Sequence, residues 1–272
     1  MDDAQRQAQP APMGGEASAP ATRRGIGVVL PAYNEEAVIA DTVRACAETL
    51  AAIAPDYEII VVDDGSRDRT GVIADALAAA NPRVRVIHNQ GNRGYGGALI
   101  AGFDAVTKDL TFFMDSDGQF DIRDLARLLA LHERGYRAVL GYREHRKDGA
   151  IRRLNAWGWN VLVSAMFGLH VRDVDCAFKV YDTDLVRMLG VHSEGAMVNT
   201  EMLVKLKLLG VRYAETPVRH LPRLHGSATG ANLRVILRAF RELLRLRSRL
   251  RAWRPTPPVA EASVAPTQVM RG

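Results

Sequence analysis

Two cysteines in 272 residues, Cys46 and Cys176, are too few and too far apart for a disulfide framework or a thiolate metal site, and both are read as reduced. The seven histidines show neither paired helical spacing nor cysteine neighbours. Zinc is therefore disfavoured, and any metal should be held by oxygen. No apolar run approaches the roughly 20 residues needed to span a bilayer; VLVSAMFGL, at 161–169, is less than half that length. The N-terminal residues lack the apolar centre of a signal peptide, which points to a cytoplasmic protein, either free or peripheral on the inner face of the membrane. There is also no GxGxxG after the first strand-like run, where the chain reads LPAYNEE, and this disfavours a dehydrogenase.

What is present suits a soluble α/β protein. With 47% hydrophobic and 25% charged residues, the chain can bury a sizeable core. Residues 1–24 and 254–272, rich in Ala and Pro, are expected to be disordered tails. Between them, β-rich runs at 26–32, 58–63, 84–88, 110–115 and 137–142 alternate with helical periodicity near 35–54, 69–80, 95–107 and 122–134. That order predicts a mainly parallel sheet with helices on both faces and ligands at the carboxyl ends of its strands.

Four polar clusters follow those strands: PAYNEE (31–36), DDGSRDRT (63–70), MDSDGQ (114–119) and GYR (141–143). Each has an ordinary reading. Asp63-Asp64-Gly65-Ser66 can be a turn and helix cap. Asn92-Arg93-Gly94-Tyr95-Gly96-Gly97 can be a loop entering a helix, although its glycines would also let a phosphate approach the backbone. Asp115 and Asp117 are the most demanding pair. Carried on by a strand, residues 115, 117 and 119 would share a face, and two like charges there repel unless a cation lies between them. A hard divalent ion, Mg²⁺ or Mn²⁺, bridging both carboxylates to a diphosphate with Gln119 beside them would relieve the repulsion.

In this order and spacing the clusters resemble the family 2 glycosyltransferases of GT-A fold, most closely their polyprenyl-phosphate (dolichol-phosphate) mannose synthase branch, over about residues 25–230. The resemblance implies an inverting transfer of a hexose from a UDP- or GDP-sugar. It places Pro31, Tyr33, Glu35, Val62 and Asp64 around the nucleotide, Asp115, Ser116, Asp117 and Gln119 at the metal and diphosphate, and Arg143 near the phosphates. Arg223, in LPRLHGSATG, matches a basic position of the loop that closes over the donor. Lys179 stands where the family usually has Arg, and Trp157 where mannose synthases carry an acceptor-binding Arg.

The acceptor decides the mechanism. A polyprenyl phosphate is already ionised and needs cationic positioning, for which Arg143, Arg152, Arg153 and Lys179 are candidates. A hydroxyl acceptor would need a carboxylate base, with Asp175 first and Glu201 second. A nucleotidyltransferase would want a basic, Gly-rich signature where this chain has PAYNEE, whereas a non-catalytic nucleotide-sugar-binding module would have less reason to keep the Asp-x-Asp pair.

Beyond a catalytic domain at 25–231, residues 232–253 read as a basic amphipathic helix. Eight arginines against Glu242 over 232–254 give +7, so the rest of the chain is slightly acidic despite the overall +5. The helix either meets anionic lipid or packs its leucines on the domain. Its aromatics do not interleave as a base-stacking platform, so nucleic acid is not expected as a partner.

Overall fold

The structure is a computed structural model that describes residues 22–144, 150–222 and 233–254. Seven strands form one sheet in the order β3-β2-β1-β4-β6-β5-β7. The first half is a regular alternation: β1 (Ile26–Ala32), α1 (Ile39–Ile53), β2 (Tyr57–Asp63), α2 (Thr70–Ala80), β3 (Val84–His88), α3 (Tyr95–Ala105) and β4 (Leu110–Met114). The β1 and β2 strands are buried along their whole length because helices cover both faces, which is why they read as unbroken apolar runs. Gly102 lets α3 lie close on the sheet, since a Cβ there would collide with Val29.

The second half begins with α4 (Leu125–His132) and β5 (Ala138–Glu144), near the expected 122–134 and 137–142, and goes on to elements that the periodicity alone did not delimit: α5 (Ala150–Phe167), β6 (Phe178–Asp182), α6 (Thr183–Leu189), α7 (Val198–Leu208) and β7 (Tyr213–Arg219). The β6 strand runs antiparallel between β4 and β5, and every other pairing is parallel. The carboxyl ends of β1, β2, β4, β5 and β7 therefore share one rim with the amino end of β6. Pro217 sits on β7, an edge strand, where its missing N–H costs no central ladder bond.

The last helix, α8 (Leu233–Ala252), buries Leu243, Leu246 and Leu250 against the domain. These three leucines are thus part of the core.

Candidate active site

The loops after β1 and β2 hold each other in place. Asn34, at φ +57°, donates its N–H to Ser66 Oγ (3.0 Å) and accepts from Arg67 N on its own Oδ1 (2.8 Å). Glu35 N donates to Thr70 Oγ1 (2.8 Å), and Glu36 Oε2 accepts from Arg69 N (3.0 Å). Much of the polarity in PAYNEE and DDGSRDRT is therefore structural, and helix α1 begins only at Ile39 because residues 34–38 form this clasp. Tyr33 is left 40% exposed on the rim, with Glu35 half-buried beside it. Pro31 and Val62 are buried, so their side chains form wall rather than contact surface.

Asp64 is buried at the end of β2, where its carboxylate accepts from Asn89 Nδ2 (2.7 Å), Arg93 N (2.9 Å) and Gly94 N (2.9 Å). It fixes the glycine-rich loop in position. That loop is not the phosphate cradle its glycines suggested. The segment Ser193–Gly195 fills the space instead: Gly97 N donates to Glu194 O (2.9 Å), and a Cβ on Gly96 would collide with Ser193 O. The close approach that the glycines permit is made by the protein's own backbone.

Strand β4 stops at Met114, and Gly118 turns the chain at φ +73°, so strand alternation does not extend over 115–119 as expected. A tight turn takes its place. Ser116 points inward and donates to Pro31 O (2.6 Å), while Thr42 Oγ1 donates to Ser116 O (3.1 Å). The hydroxyl of Ser116 is thus used to tie β4 to β1. Asp117 Oδ1 accepts from Gln119 N (3.0 Å), and Gln119 Nε2 donates to Leu221 O (3.1 Å). Gln119 links this turn to the end of β7, where Phe120 also bridges His220.

Burial, and then the charge of Asp117, push the Asp115 carboxyl up to about 7; Tyr95, Arg143 and Lys179 pull the other way. The Tyr95 phenol is itself buried at the head of α3, and desolvation followed by the charge of Asp115 raises it well above its usual value. Neither Tyr95 nor Asn199, which accepts from Lys179 Nζ (2.7 Å), stood out in the sequence.

Arg143, at the end of β5, is gripped by Asp173: Nε to Oδ2 at 2.7 Å and Nη2 to Oδ1 at 2.8 Å. Burial opposes its charge, but the hydrogen bond and charge of Asp173 hold its pKa above the ordinary arginine value. The sequence offered one hint of this partner, a second carboxylate two residues before Asp175 in RDVDCAFK.

Two expected site residues turn out to be internal supports. Lys179 is fully buried in β6, and its ammonium donates to Val174 O (3.1 Å), Cys176 O and Asn199 Oδ1, which accounts for all three of its protons. Desolvation lowers its pKa. It pins the approach to β6 and has no proton left for a phosphate. Glu201, on α7, is buried and accepts from Ser193 N (2.8 Å), His192 N (3.2 Å) and Lys205 Nζ (2.6 Å). Burial would raise its pKa, but Lys205 and the Ser193 N–H bring it below the usual value, so it anchors the 192–193 loop rather than serving as a base. Asp175 is exposed just before the amino end of β6. Arg223 lies outside the described residues, as do the side chains of Arg152 and Arg153.

Six strands running one way, with Asp115 and Asp117 after β4 and Arg143 at the end of β5, make a layout of the GT-A class. Residues 27–190 match the family model described as Glycosyl transferase family 2, and the chain belongs to that family. It is 36% identical over 220 residues to glycosyltransferase AglD of Haloferax volcanii, covering 76% of this chain and 35% of that protein. It is 34% identical over 176 residues to an undecaprenyl-phosphate 4-deoxy-4-formamido-L-arabinose transferase of Shewanella sediminis, covering 64% of this chain and 53% of that one. The chain thus spans only about a third to a half of these relatives. Among solved structures, glucosyl-3-phosphoglycerate synthase from Mycobacterium tuberculosis, in complex with Mn²⁺, UDP and glucosyl-3-phosphoglycerate, superposes with a TM-score of 0.64 at 23% identity, over 82% of this chain and 80% of that one. Mannosyltransferase PcManGT from Pyrobaculum calidifontis, in complex with GDP-Man and Mn²⁺, gives 0.61 at 21% identity, over 90% and 70%. At these identities the solved structures speak for the fold.

Proposed function

We propose that this family 2 glycosyltransferase moves a hexose from a nucleoside-diphosphate sugar to a polyprenyl phosphate in a single inverting displacement. The observation that carries this reading is the pairing, on one rim, of two carboxylates after β4 with a half-buried, preoriented guanidinium at the end of β5. The name of the Shewanella relative, which specifies undecaprenyl phosphate, supports a lipid-phosphate acceptor.

The residues fit a divalent ion. Burial, with the charge of Asp117 added to it, raises the Asp115 carboxyl to about 7, and among the described residues no third acidic, His or Cys ligand joins the pair. They would hold Mg²⁺ or Mn²⁺ and leave its remaining positions to diphosphate oxygens and water. Such an ion supplies Lewis-acid neutralisation of the leaving nucleoside diphosphate. Tyr33 and Glu35 line the nucleotide side of the rim, and Asp64 acts mainly by fixing the loop at 92–94. Arg143 holds the acceptor phosphate in line with the anomeric carbon; because that phosphate arrives ionised, no proton has to be removed.

A hydroxyl acceptor with Asp175 as base is the second reading, favoured by the exposure of Asp175 just before β6. One experiment separates the two. Purified chain with Mn²⁺ and a panel of UDP- and GDP-hexoses should form a sugar-phosphate-lipid from undecaprenyl phosphate, with Arg143→Ala losing most of the rate and Asp175→Asn keeping a substantial part. Transfer only to saccharide hydroxyls, abolished by Asp175→Asn, would overturn the lipid-phosphate acceptor.

A further inference from the structure

Of the chain's three tryptophans, Trp159 on α5 and Trp253 just past α8 are partly buried against the core, whereas Trp157, roughly 200° round α5 from Trp159, is exposed. Trp159 meets Phe240 edge-on at 5.9 Å, and further along Met166 and Phe167 share a groove of about 500 Å³ with Leu250 and Trp253. The two helices therefore run side by side in the same direction. Each presents an apolar pair one turn apart to the outside: Trp157 and Val161 are 65% and 46% exposed, Phe240 and Leu244 42% and 60%. With Leu208, which also lines the groove, these make five of the eight exposed large apolar side chains among the described residues.

Charge follows the same line. Phe240, Leu244, Arg247 and Arg251 recur at helical spacing along one face of α8, and Arg247, Arg251 and Arg254 rim the groove. The one acidic residue of α8, Glu242, is turned toward Gly195 on another face. Leu243, Leu246 and Leu250 are buried. The outward stripe is apolar toward its start and basic toward its end.

We propose that this outward face of α8 docks the protein on a bilayer containing anionic phospholipid, Phe240 and Leu244 seated at the headgroup level and Arg247, Arg251 and Arg254 meeting lipid phosphates. The inference deepens the lipid-phosphate reading, on which it rests for its purpose but not for its geometry. Two features select a membrane. An apolar ridge continued by a basic flank along one exposed helix face is the composition of an interfacial helix surface. A second copy of this chain would bring like charge against like charge along the same arginines. No helix among the described residues is long and apolar enough to cross a membrane, so contact with a buried lipid acceptor would fall to a surface of this kind.

The test uses the full chain and its own tryptophan emission. Co-sedimentation with phosphatidylcholine vesicles that contain phosphatidylglycerol should succeed, should fail with phosphatidylcholine alone, should weaken as salt rises, and should come with a blue shift of the emission. The pair Arg247→Gln and Arg251→Gln should weaken binding to the anionic vesicles roughly 30-fold, at about 1 kcal/mol per basic residue. Phe240→Ser with Leu244→Ser should abolish the blue shift, while turnover of a short, water-soluble prenyl phosphate without vesicles stays unchanged. Vesicle binding that ignores either pair, or native protein that stays in the supernatant while turning over the soluble acceptor, overturns the docking face. So does a dimer that shields the tryptophans from a soluble quencher in the absence of lipid. Native protein that partitions onto anionic vesicles but ignores every prenyl phosphate supports the docking face and sinks the lipid-phosphate reading instead.

Discussion

Asp173 holds Arg143 by both nitrogens of one guanidinium edge, at 2.7 and 2.8 Å, and also lies 3.3 Å from the Arg143 N–H. A fork held this way is oriented before any ligand arrives, and a lysine could not reproduce it. Asp173→Asn keeps the shape but removes the charge that aims the fork. Transfer should fall by about 10- to 100-fold, the range expected when an orienting partner is lost, with donor affinity little changed. Steady-state rates beside calorimetric titration of the nucleotide would check it; equal losses in both would mean that Asp173 merely holds the fold.

Asp117→Asn should remove cation-dependent donor binding and leave the fold intact. A neutral amide still accepts the Gln119 N–H that Asp117 accepts at 3.0 Å, so the turn survives, but it cannot offset a divalent charge. Titration of UDP and GDP with and without Mn²⁺ gives the answer, and unchanged Mn²⁺ dependence in the variant would remove the residue from the metal site.

Asp115 makes the metal-free protein sensitive to pH. Its carboxyl is raised from 3.8 to about 7, so across that window the folded chain keeps a proton that the unfolded chain has released. Stability without metal should fall as pH rises through the window and stay lower above it. Asp115→Asn should then melt higher than the parent by on the order of 2 kcal/mol near pH 8, with no gain near pH 3.5. Thermal melts in chelator at both pH values decide the point.

Gly96→Ala is a test of packing. The added Cβ meets Ser193 O, a backbone atom that cannot swing aside. Overpacking of this kind costs about 1–3 kcal/mol, and it should loosen the contact between the loop that Asp64 fixes and the segment that Glu201 anchors. Asp64→Ala should likewise lower the melting temperature, because it takes the acceptor from Asn89 Nδ2 and the Arg93 N–H and leaves Gly94 N only its bond to Asn92 Oδ1, as well as weakening nucleotide binding. A variant of either kind that melts like the parent would count against this account of the loop.

The first half of the sheet was legible because β1, β2 and β4 are buried along their length and, with the partly exposed edge strand β3, are written as β-rich runs between helical periods, so the expected strands fall within one residue of those observed. The rim positions of Asp115, Asp117 and Arg143 followed from strand order. What a neighbour does could not be read. The glycines at 94–97 signalled a close approach, but not that residues 193–195, about a hundred positions later, make it. Lys179 looked like a site cation because its type was right; only the fold reveals three internal acceptors around it. Asp173 was missed because its importance comes from Arg143, thirty residues upstream.

The reversed strand β6 also has a bearing on how the protein is made. From β1 to β4 every strand lies beside one already synthesised, whereas β5 has no slot until residues 178–182 arrive between it and β4. Its other partner, β7, begins at Tyr213. Non-local closures of this kind come late and slowly. On a ribosome the nucleotide-facing half should therefore assemble first, and pulse-labelled hydrogen exchange should find residues 57–63 protected before 138–144; simultaneous protection would refute that order. The grip of Asp173 on Arg143 can form only once β6 is being seated, so a nascent chain could acquire its donor rim well before it has the means to spend a sugar.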